Sequence, residues 1–138
     1  MTLETGLESL KRGEFVLLFD SAGRENEIDM VAAAEFVTPE HVARMRQHAG
    51  GLLCISVENS LAQSLGLRYM HEIPAGPSNT NREMIMGLAP YGDHPTFSIS
   101  VNHYQTYTGI TDKDRSLTIR EFANLCNVEN KKKKFVSS

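Results

Sequence analysis

Hydrophobic residues in the first third of the chain follow two patterns, helical spacing and short continuous runs. Leucines recur at helical spacing through residues 3–11 and predict a short first helix. The run at 15–19 is apolar throughout and has the length of a strand, which predicts a strand buried on both faces. Residues 30–34 fit a helix or a strand, and their short length after a turn favours a strand.

The most clearly marked helix begins after Thr38. Thr38 fits the N-cap, Pro39 fits the first helical position, and Glu40 suits the positive end of the helix dipole. Gly50 and Gly51 predict where this helix ends. The pattern therefore predicts a helix over about ten residues between these signals.

The middle of the chain changes character after a second predicted strand. Residues 52–57 are predicted to form another buried strand, and a short helix follows that ends at Gly66. Residues 67–95 then hold four of the five prolines and show no sustained period. A loop of this length inside a domain is usually functional or mobile.

Alternation returns in the last third of the chain. Residues 96–102 alternate between apolar and polar side chains, which predicts a strand with one solvated face. A polar loop over 106–115 precedes an apolar pattern at 117–125 that predicts a helix. Strands and helices mix without a regular βαβ rhythm. The predicted fold class is therefore α/β or α+β in layers, with a mixed sheet covered by helices.

Composition favours one domain without a strongly charged partner. The 138 residues fit a single domain, and 14 basic against 17 acidic residues give a net charge of −3. This balance does not favour binding to nucleic acid or to a membrane surface. The four lysines at 131–134 are interpreted as part of a solvated tail.

The cysteines and the N-terminal residues indicate a reducing compartment. Cys54 and Cys126 do not have the spacing of a metal site, and Cys54 lies in an apolar run as a small core residue would. The sequence shows neither an apolar stretch of about 20 residues nor a signal-peptide pattern. We therefore expect a soluble cytoplasmic protein.

The segment with most chemical content is 20–29, where four carboxylates and Arg24 lie between two apolar runs. Carboxylates this close repel one another unless a positive charge lies among them. Arg24 supplies one such charge, and Mg²⁺, which prefers oxygen ligands, would supply more. The alternative interpretation is a solvated surface turn, and composition alone leaves both open.

Several motifs follow one another along the chain. Residues 24–30 read R-E-N-E-I-D-M, 50–54 read G-G-L-L-C, 97–103 read F-S-I-S-V-N-H and 108–115 read T-G-I-T-D-K-D-R. In wording and order they resemble the 3,4-dihydroxy-2-butanone 4-phosphate synthase family, most closely its archaeal branch. The resemblance covers residues 3–125 and implies the layered fold of that family.

The resemblance implies roles for the residues of the acidic segment. Glu25 is implied to be a metal ligand, with Arg24 beside it in the substrate pocket. Asp20 and Asp29 are implied to contact substrate hydroxyls, and Asp29 is also a candidate for moving protons. Glu27 belongs to the signature and is a further catalytic candidate.

The resemblance also assigns residues outside that segment. Cys54 and Thr111 are implied to line the pocket, Cys54 among the catalytic candidates and Thr111 near the substrate phosphate. For Cys54, packing in the core is an equally good explanation. For Asp114 and Arg115 the alternative interpretation is that they brace their loop.

Family membership would further imply a reaction, a cofactor and an assembly. The family converts ribulose 5-phosphate into 3,4-dihydroxy-2-butanone 4-phosphate and formate in riboflavin biosynthesis, as a homodimer with Mg²⁺ or Mn²⁺. Enolisation of a ketose phosphate needs a base and a stabiliser of the developing negative charge. Carboxylates suit this lyase chemistry, because they both accept protons and bind divalent cations.

Part of the family's pattern does not occur in this sequence. A P-G-H-V motif with a metal-binding histidine, an arginine before it that holds the phosphate, and a later H-T-E motif are all missing. His103 is the best candidate to replace that histidine, although an ordinary surface or hydrogen-bonded histidine explains it better. We expect residues 1–126 to be the N-terminal part of one synthase domain, apparently truncated, and 127–138 to be a lysine-rich tail. The alternatives are a non-catalytic remnant that binds a partner subunit and a small acidic metal-binding module.

Overall fold

The computed structural model contains short helices and strands joined by irregular segments. It describes residues 2–70, 88, 90–92, 96–127 and 135–137. In chain order the elements are α1 (Leu3–Lys11), β1 (Val16–Phe19), β2 (Ile28–Val31), a 3₁₀ turn (Ala34–Phe36), α2 (Pro39–His48), α3 (Asn59–Leu65), β3 (Val101–His103), α4 (Asp112–Ala123), a second 3₁₀ turn (Asn124–Asn127) and β4 (Phe135–Ser137). Helices and antiparallel strand pairs together make a mixed α/β fold, as predicted.

Local capping explains where the longer helices begin. The Thr2 side chain accepts a hydrogen bond from the backbone of Thr5 at the start of α1. At α2 the Thr38 side chain accepts from the backbone N–H of His41, and the His41 ring accepts from the backbone N–H of Thr38. Among the described residues, none of the helices has both the length and the apolar character that a membrane crossing requires.

The first two strands form an antiparallel hairpin that positions the acidic segment. Val16 pairs with Val31, and Phe19 pairs with Ile28 at the end that leads into the turn. The prediction that β1 is buried on both faces is wrong. Val16 is buried, whereas the other three residues of β1 are more than half exposed, because in the described part of the chain β1 pairs with β2 alone.

The core lies between α2, α4 and the segment that precedes α2. Its centre consists of Val37, Val42 and Ile119, with the partly buried Ala32, Ala34 and Ile55 packed against it. The guanidinium of Arg46 on α2 donates two hydrogen bonds, of 3.0 and 3.3 Å, to the carboxylate of Asp112 on α4. The two helices are thus joined both by apolar packing and by an ion pair.

Three predicted elements differ from the structure. Residues 52–57 were predicted to be a buried strand but lie outside any strand, because no neighbouring strand pairs with them in the described part of the chain. The strand predicted over 96–102 is shorter, since only Val101–His103 is paired, with β4. The last helix begins earlier than predicted, at Asp112, because Thr111 caps it.

Two sequence predictions concern segments that lie largely outside the described residues. Most of the long segment predicted over 67–95 lies outside the described residues, as do the four lysines at 131–134. Within the stretch predicted as a tail, Phe135–Ser137 forms β4 and pairs antiparallel with β3.

Candidate functional site

The acidic segment between β1 and β2 forms a turn that Asp20 closes. The Oδ2 atom of Asp20 accepts a hydrogen bond of 2.8 Å from the backbone N–H of Glu25, and Oδ1 accepts one of 3.1 Å from that of Glu27. Asn26 has a φ of 55°, a left-handed conformation that asparagine adopts more readily than most residues. The side chain of Asp20 therefore determines the shape of the turn through its backbone.

Arg24 and Glu25 form the charged centre of this turn. The Nη1 atom of Arg24 lies 3.3 Å from Oε2 of Glu25 and 3.8 Å from Oδ2 of Asp20. One guanidinium between two carboxylates offsets their mutual repulsion. Because half of the Arg24 side chain is exposed, these contacts orient the groups more than they stabilise the fold.

Tyr91 completes the charged centre, and sequence reasoning did not find it. Its hydroxyl donates a hydrogen bond of 2.8 Å to Oε1 of Glu25. The guanidinium carbon of Arg24 lies 5.5 Å from the centroid of the Tyr91 ring, within the range of a cation–π interaction. Tyr91 lies in an irregular segment without periodicity, so nothing in the sequence signalled that it would reach the acidic turn.

The remaining acids of the segment take different positions. Glu27 joins the turn through its backbone, because its N–H and its carbonyl both bond to Asp20, and its side chain is exposed. Asp29 lies on β2 opposite Leu18, and it is also exposed. The structure thus brings Asp20, Arg24 and Glu25 into direct contact and places Glu27 and Asp29 on the adjoining stretch of chain.

A second polar loop is organised around Asp114. Its Oδ2 atom accepts hydrogen bonds from the backbone N–H groups of Thr108, at 3.0 Å, and Gly109, at 3.1 Å. The bond from Thr108 is the largest cause that holds the pKa of Asp114 below its ordinary value. These contacts confirm the interpretation that Asp114 braces the loop.

Two features of this loop favour glycine at position 109. The φ of Gly109 is 74°, in the region that side chains rarely adopt, and a Cβ atom added there would overlap the side chain of Asn102. Asn102 lies on β3, so the loop packs directly against that strand.

Thr111 is the N-cap of α4. Its Oγ1 atom accepts a hydrogen bond of 3.1 Å from the backbone N–H of Asp114, and no residue in the described ranges is recorded as accepting from its hydroxyl. The neighbouring Asp112 is paired with Arg46, which lowers the pKa of Asp112. Among the described residues, no hydrogen bond or ion pair links Thr111 or Cys54 to the acidic turn.

Cys54 does not lie in the core, so core packing, one of the two interpretations that its sequence left open, is wrong. The residue is exposed, and it is the adjacent Ile55 that packs against the core. Partial burial of the sulfur nevertheless raises the pKa of the Cys54 thiol. A raised pKa keeps the group protonated near neutral pH and so disfavours a nucleophilic thiolate.

Two histidines, His41 and His103, have structural hydrogen bonds. The backbone N–H of Thr38 donates to Nδ1 of His41, so the proton of that ring is on Nε2, which lies 2.9 Å from the carbonyl oxygen of Gly13. His103 is 2% exposed, and its Nδ1 atom accepts from the backbone N–H of Gln105. For His103 this agrees with the hydrogen-bonded alternative of the sequence prediction and not with a surface position; His71 and His94 lie outside the described residues.

The described residues fit a divalent cation only as a partial ligand set. Within those segments no three His, Cys, Asp or Glu side chains converge on one point. Mg²⁺ commonly takes one or two protein carboxylates and fills its other positions with water or substrate. The partly exposed carboxylate of Glu25, fixed by Arg24 and Tyr91, has the chemistry of one such ligand.

Comparisons with known proteins agree on one family. The model of the 3,4-dihydroxy-2-butanone 4-phosphate synthase family matches residues 4–138. A synthase of that name from Methanothermobacter thermautotrophicus is 45% identical over 129 residues, which are 90% of this chain and 56% of that protein. The Archaeoglobus fulgidus synthase is 37% identical over 130 residues, 91% of this chain and 54% of that protein.

Solved structures show the same relationship. A crystal structure of a 3,4-dihydroxy-2-butanone 4-phosphate synthase in complex with two magnesium ions superposes with a TM-score of 0.73 at 28% identity. The superposition covers 99% of this chain and 56% of that one. The chain therefore spans about half the length of these curated relatives and of this solved structure.

Proposed function

Because the chain belongs to the 3,4-dihydroxy-2-butanone 4-phosphate synthase family, we propose that it supplies part of a lyase active site for riboflavin biosynthesis. The proposed reaction converts D-ribulose 5-phosphate into 3,4-dihydroxy-2-butanone 4-phosphate and formate. The observation that supports it most is the acidic turn, in which Asp20 shapes the backbone and Arg24 and Glu25 meet.

In this proposal Glu25 is the ligand that this chain contributes to a Mg²⁺ or Mn²⁺ site. A bound divalent cation supplies stabilisation of the negative charge that develops on substrate oxygens. Arg24 lies beside Glu25 and keeps a positive charge next to the pocket. Asp20, whose carboxylate oxygens already accept two backbone hydrogen bonds, contacts substrate hydroxyls with its remaining lone pairs.

Asp29 is the proposed base that removes the proton from the carbon next to the substrate carbonyl. Its exposed carboxylate lies on β2, opposite Leu18 in the apolar part of the hairpin. A substrate that covers this face would exclude water from around the carboxylate. Glu27, anchored to Asp20 through its backbone, is the second carboxylate available for proton transfer.

Thr111 and Cys54 are the proposed residues of the pocket wall. The hydroxyl of Thr111 lies at the N-terminus of α4, where backbone N–H groups and the helix dipole favour a phosphate. The negative charge of Asp112 in the same turn is offset by Arg46. Cys54, with its raised pKa, lines the pocket as a neutral thiol.

A second candidate function is supported by the hairpin. Leu17, Phe19 and Ile28 share one face of the hairpin and are between 57% and 63% exposed, and such a set of large apolar side chains is typical of an interface. A chain without catalytic activity would use this surface to bind a partner subunit. The family resemblance implies a homodimer in the cytoplasm. Such a homodimer would also use an apolar contact through the hairpin.

Formate release separates the two candidates. The purified chain, alone and mixed with the part of the Methanothermobacter protein that lies beyond the matched region, is supplied with D-ribulose 5-phosphate and Mg²⁺. We expect formate from the mixture, and a loss of about a hundredfold or more with Glu25→Gln, because charge stabilisation at the reacting centre is removed. Glu35→Gln, at an exposed acid outside the turn, is the matched control.

Each result supports a different candidate. Parental formate release by Glu25→Gln would overturn the role of Glu25. A stable complex of the two parts that releases no formate would favour the non-catalytic candidate.

A further inference from the structure

Tyr91 reaches the acidic turn from a position 66 residues away in the sequence. It makes two different contacts there, a hydrogen bond from its hydroxyl to Glu25 and a ring contact with Arg24. A side chain that contacts both members of an ion pair limits the side-chain conformations of both more than the ion pair does alone.

The hydrogen bond is the stronger constraint on Glu25. A glutamate has three side-chain torsions, and an exposed ion pair with an arginine does not by itself hold them in one arrangement. A hydroxyl that donates to a carboxylate at 2.8 Å forms a charge-assisted bond, which is directional and roughly twice as strong as a neutral one. Oε1 of Glu25 is thereby occupied by Tyr91, while Oε2 faces Arg24.

We infer that Tyr91 is a positioning residue that holds the carboxylate of Glu25 in the orientation in which it binds a divalent cation. The inference rests on the proposed function, since it presumes that Glu25 is a metal ligand. Groups that hydrogen-bond to a metal ligand fix its orientation, and their loss typically lowers metal affinity or activity by 10- to 100-fold. The ring of Tyr91 has a separate effect, because it keeps Arg24 beside the same carboxylate.

The first test measures the orientation of Glu25 without any metal. In the full 138-residue chain, three-bond scalar couplings report the side-chain rotamers of Glu25 by NMR. We expect one rotamer in the parent chain and averaging among rotamers in Tyr91→Phe, which removes only the hydroxyl. Tyr107→Phe is the matched control, because Tyr107 is 97% exposed. Averaging already present in the parent chain, or no change in Tyr91→Phe, overturns the inference.

The second test uses Mn²⁺ as the probe and follows the signal of the free ion by electron paramagnetic resonance. We expect Tyr91→Phe to weaken Mn²⁺ binding about tenfold, Tyr107→Phe to leave it unchanged, and Glu25→Gln to abolish it. Parental affinity in Tyr91→Phe, with binding lost in Glu25→Gln, would overturn the positioning role and leave the proposed function standing. If Tyr91→Phe changes the Glu25 rotamers but Glu25→Gln still binds Mn²⁺, Tyr91 orients Glu25 and Glu25 is not the metal ligand. That result would overturn the metal assignment.

Discussion

Asp20 and Glu27 are joined twice across the base of the acidic turn. The backbone N–H of Asp20 donates to the carbonyl of Glu27 at 3.2 Å, and the N–H of Glu27 donates to Oδ1 of Asp20 at 3.1 Å. The first bond continues the ladder of the hairpin, and the second adds the side chain to it. The turn that carries Arg24 and Glu25 is therefore an extension of the strands.

Replacement of Asp20 tests this relationship directly. Asp20→Ala removes the acceptor of two backbone N–H groups, and each such bond contributes about 1 kcal/mol net. We expect amide hydrogen exchange at Glu25 and Glu27 to accelerate roughly fivefold or more. Asp20→Asn, which keeps one acceptor oxygen, should protect one of the two amides. Unchanged exchange at both positions in Asp20→Ala would show that the strands alone hold the turn.

Gly109 and Gly50 form a matched pair for testing close packing in the second loop. Both have positive φ, of 74° and 67°, but an added Cβ overlaps Asn102 at Gly109 and meets open space at Gly50. Alanine should cost about 1–2 kcal/mol at either position from backbone strain, with about 1–3 kcal/mol more at Gly109 from the overlap.

A double-mutant cycle isolates the overlap. The free energies of unfolding of Gly109→Ala, Asn102→Ala and the double variant are measured in urea. We expect the double variant to be more stable than the sum of the single effects predicts, because the second substitution makes room for the first. Strict additivity would show that the strand and the loop do not press on each other at this point.

Stability below pH 4 should depend on Asp114. Its backbone hydrogen bonds lower its pKa from 3.8 in the folded chain. A carboxyl with a lower pKa in the folded state stabilises the fold above its unfolded pKa and loses that contribution as pH falls through the folded pKa. We expect the free energy of unfolding to decrease as the pH falls below about 4. In Asp114→Asn this decrease should be smaller.

Urea unfolding at pH 7 and near pH 3 provides the measurement for Asp114. Glu35→Gln, at an exposed acid, should keep the parental pH dependence. An identical pH dependence in Asp114→Asn and the parent chain would mean that other carboxyl groups account for the acid sensitivity.

The exposed hairpin should make the chain associate with itself. Phe19 and Ile28 face each other across the strands and are 61% and 63% exposed. Threonine at both positions keeps the preference for a strand and removes apolar surface. We expect the association constant to fall at least tenfold, because about 1.4 kcal/mol of the free energy of association comes from burial of these two side chains. Sedimentation velocity at several concentrations measures it, with Ile110→Thr as the control at an exposed residue outside the hairpin. A parent chain that stays monomeric throughout the concentration series would contradict this expectation.

The helix at Pro39–His48 was predictable because its signals are local. Thr38 and Pro39 mark its start, and the structure begins the helix at Pro39. The segment 52–57 was not predictable in the same way, since an apolar run becomes a strand only where another strand lies beside it. Its composition carries no information about that neighbour.

The charge of the acidic turn marked it in the sequence, but the contacts of its residues were only partly predictable. Composition shows that four carboxylates need a compensating cation, and Arg24 fills that place. It does not show that Asp20 faces inward to its own backbone, because that depends on how the strands pair. Tyr91 was missed because its contact with Glu25 joins residues far apart in the chain.

The core is closed by contacts between distant parts of the chain, and this affects the order of events during synthesis. Arg120 donates a hydrogen bond of 2.7 Å to the carbonyl of Val37, 83 residues earlier, and Arg46 and Asp112 are 66 residues apart. Such contacts form late, since loop closure costs entropy before the contacts are gained. Until residue 120 has left the ribosome, the nascent chain cannot complete this core. Until then Val37 and Val42 lack their core partner Ile119 on α4, and they are open to chaperones and equally to aggregation.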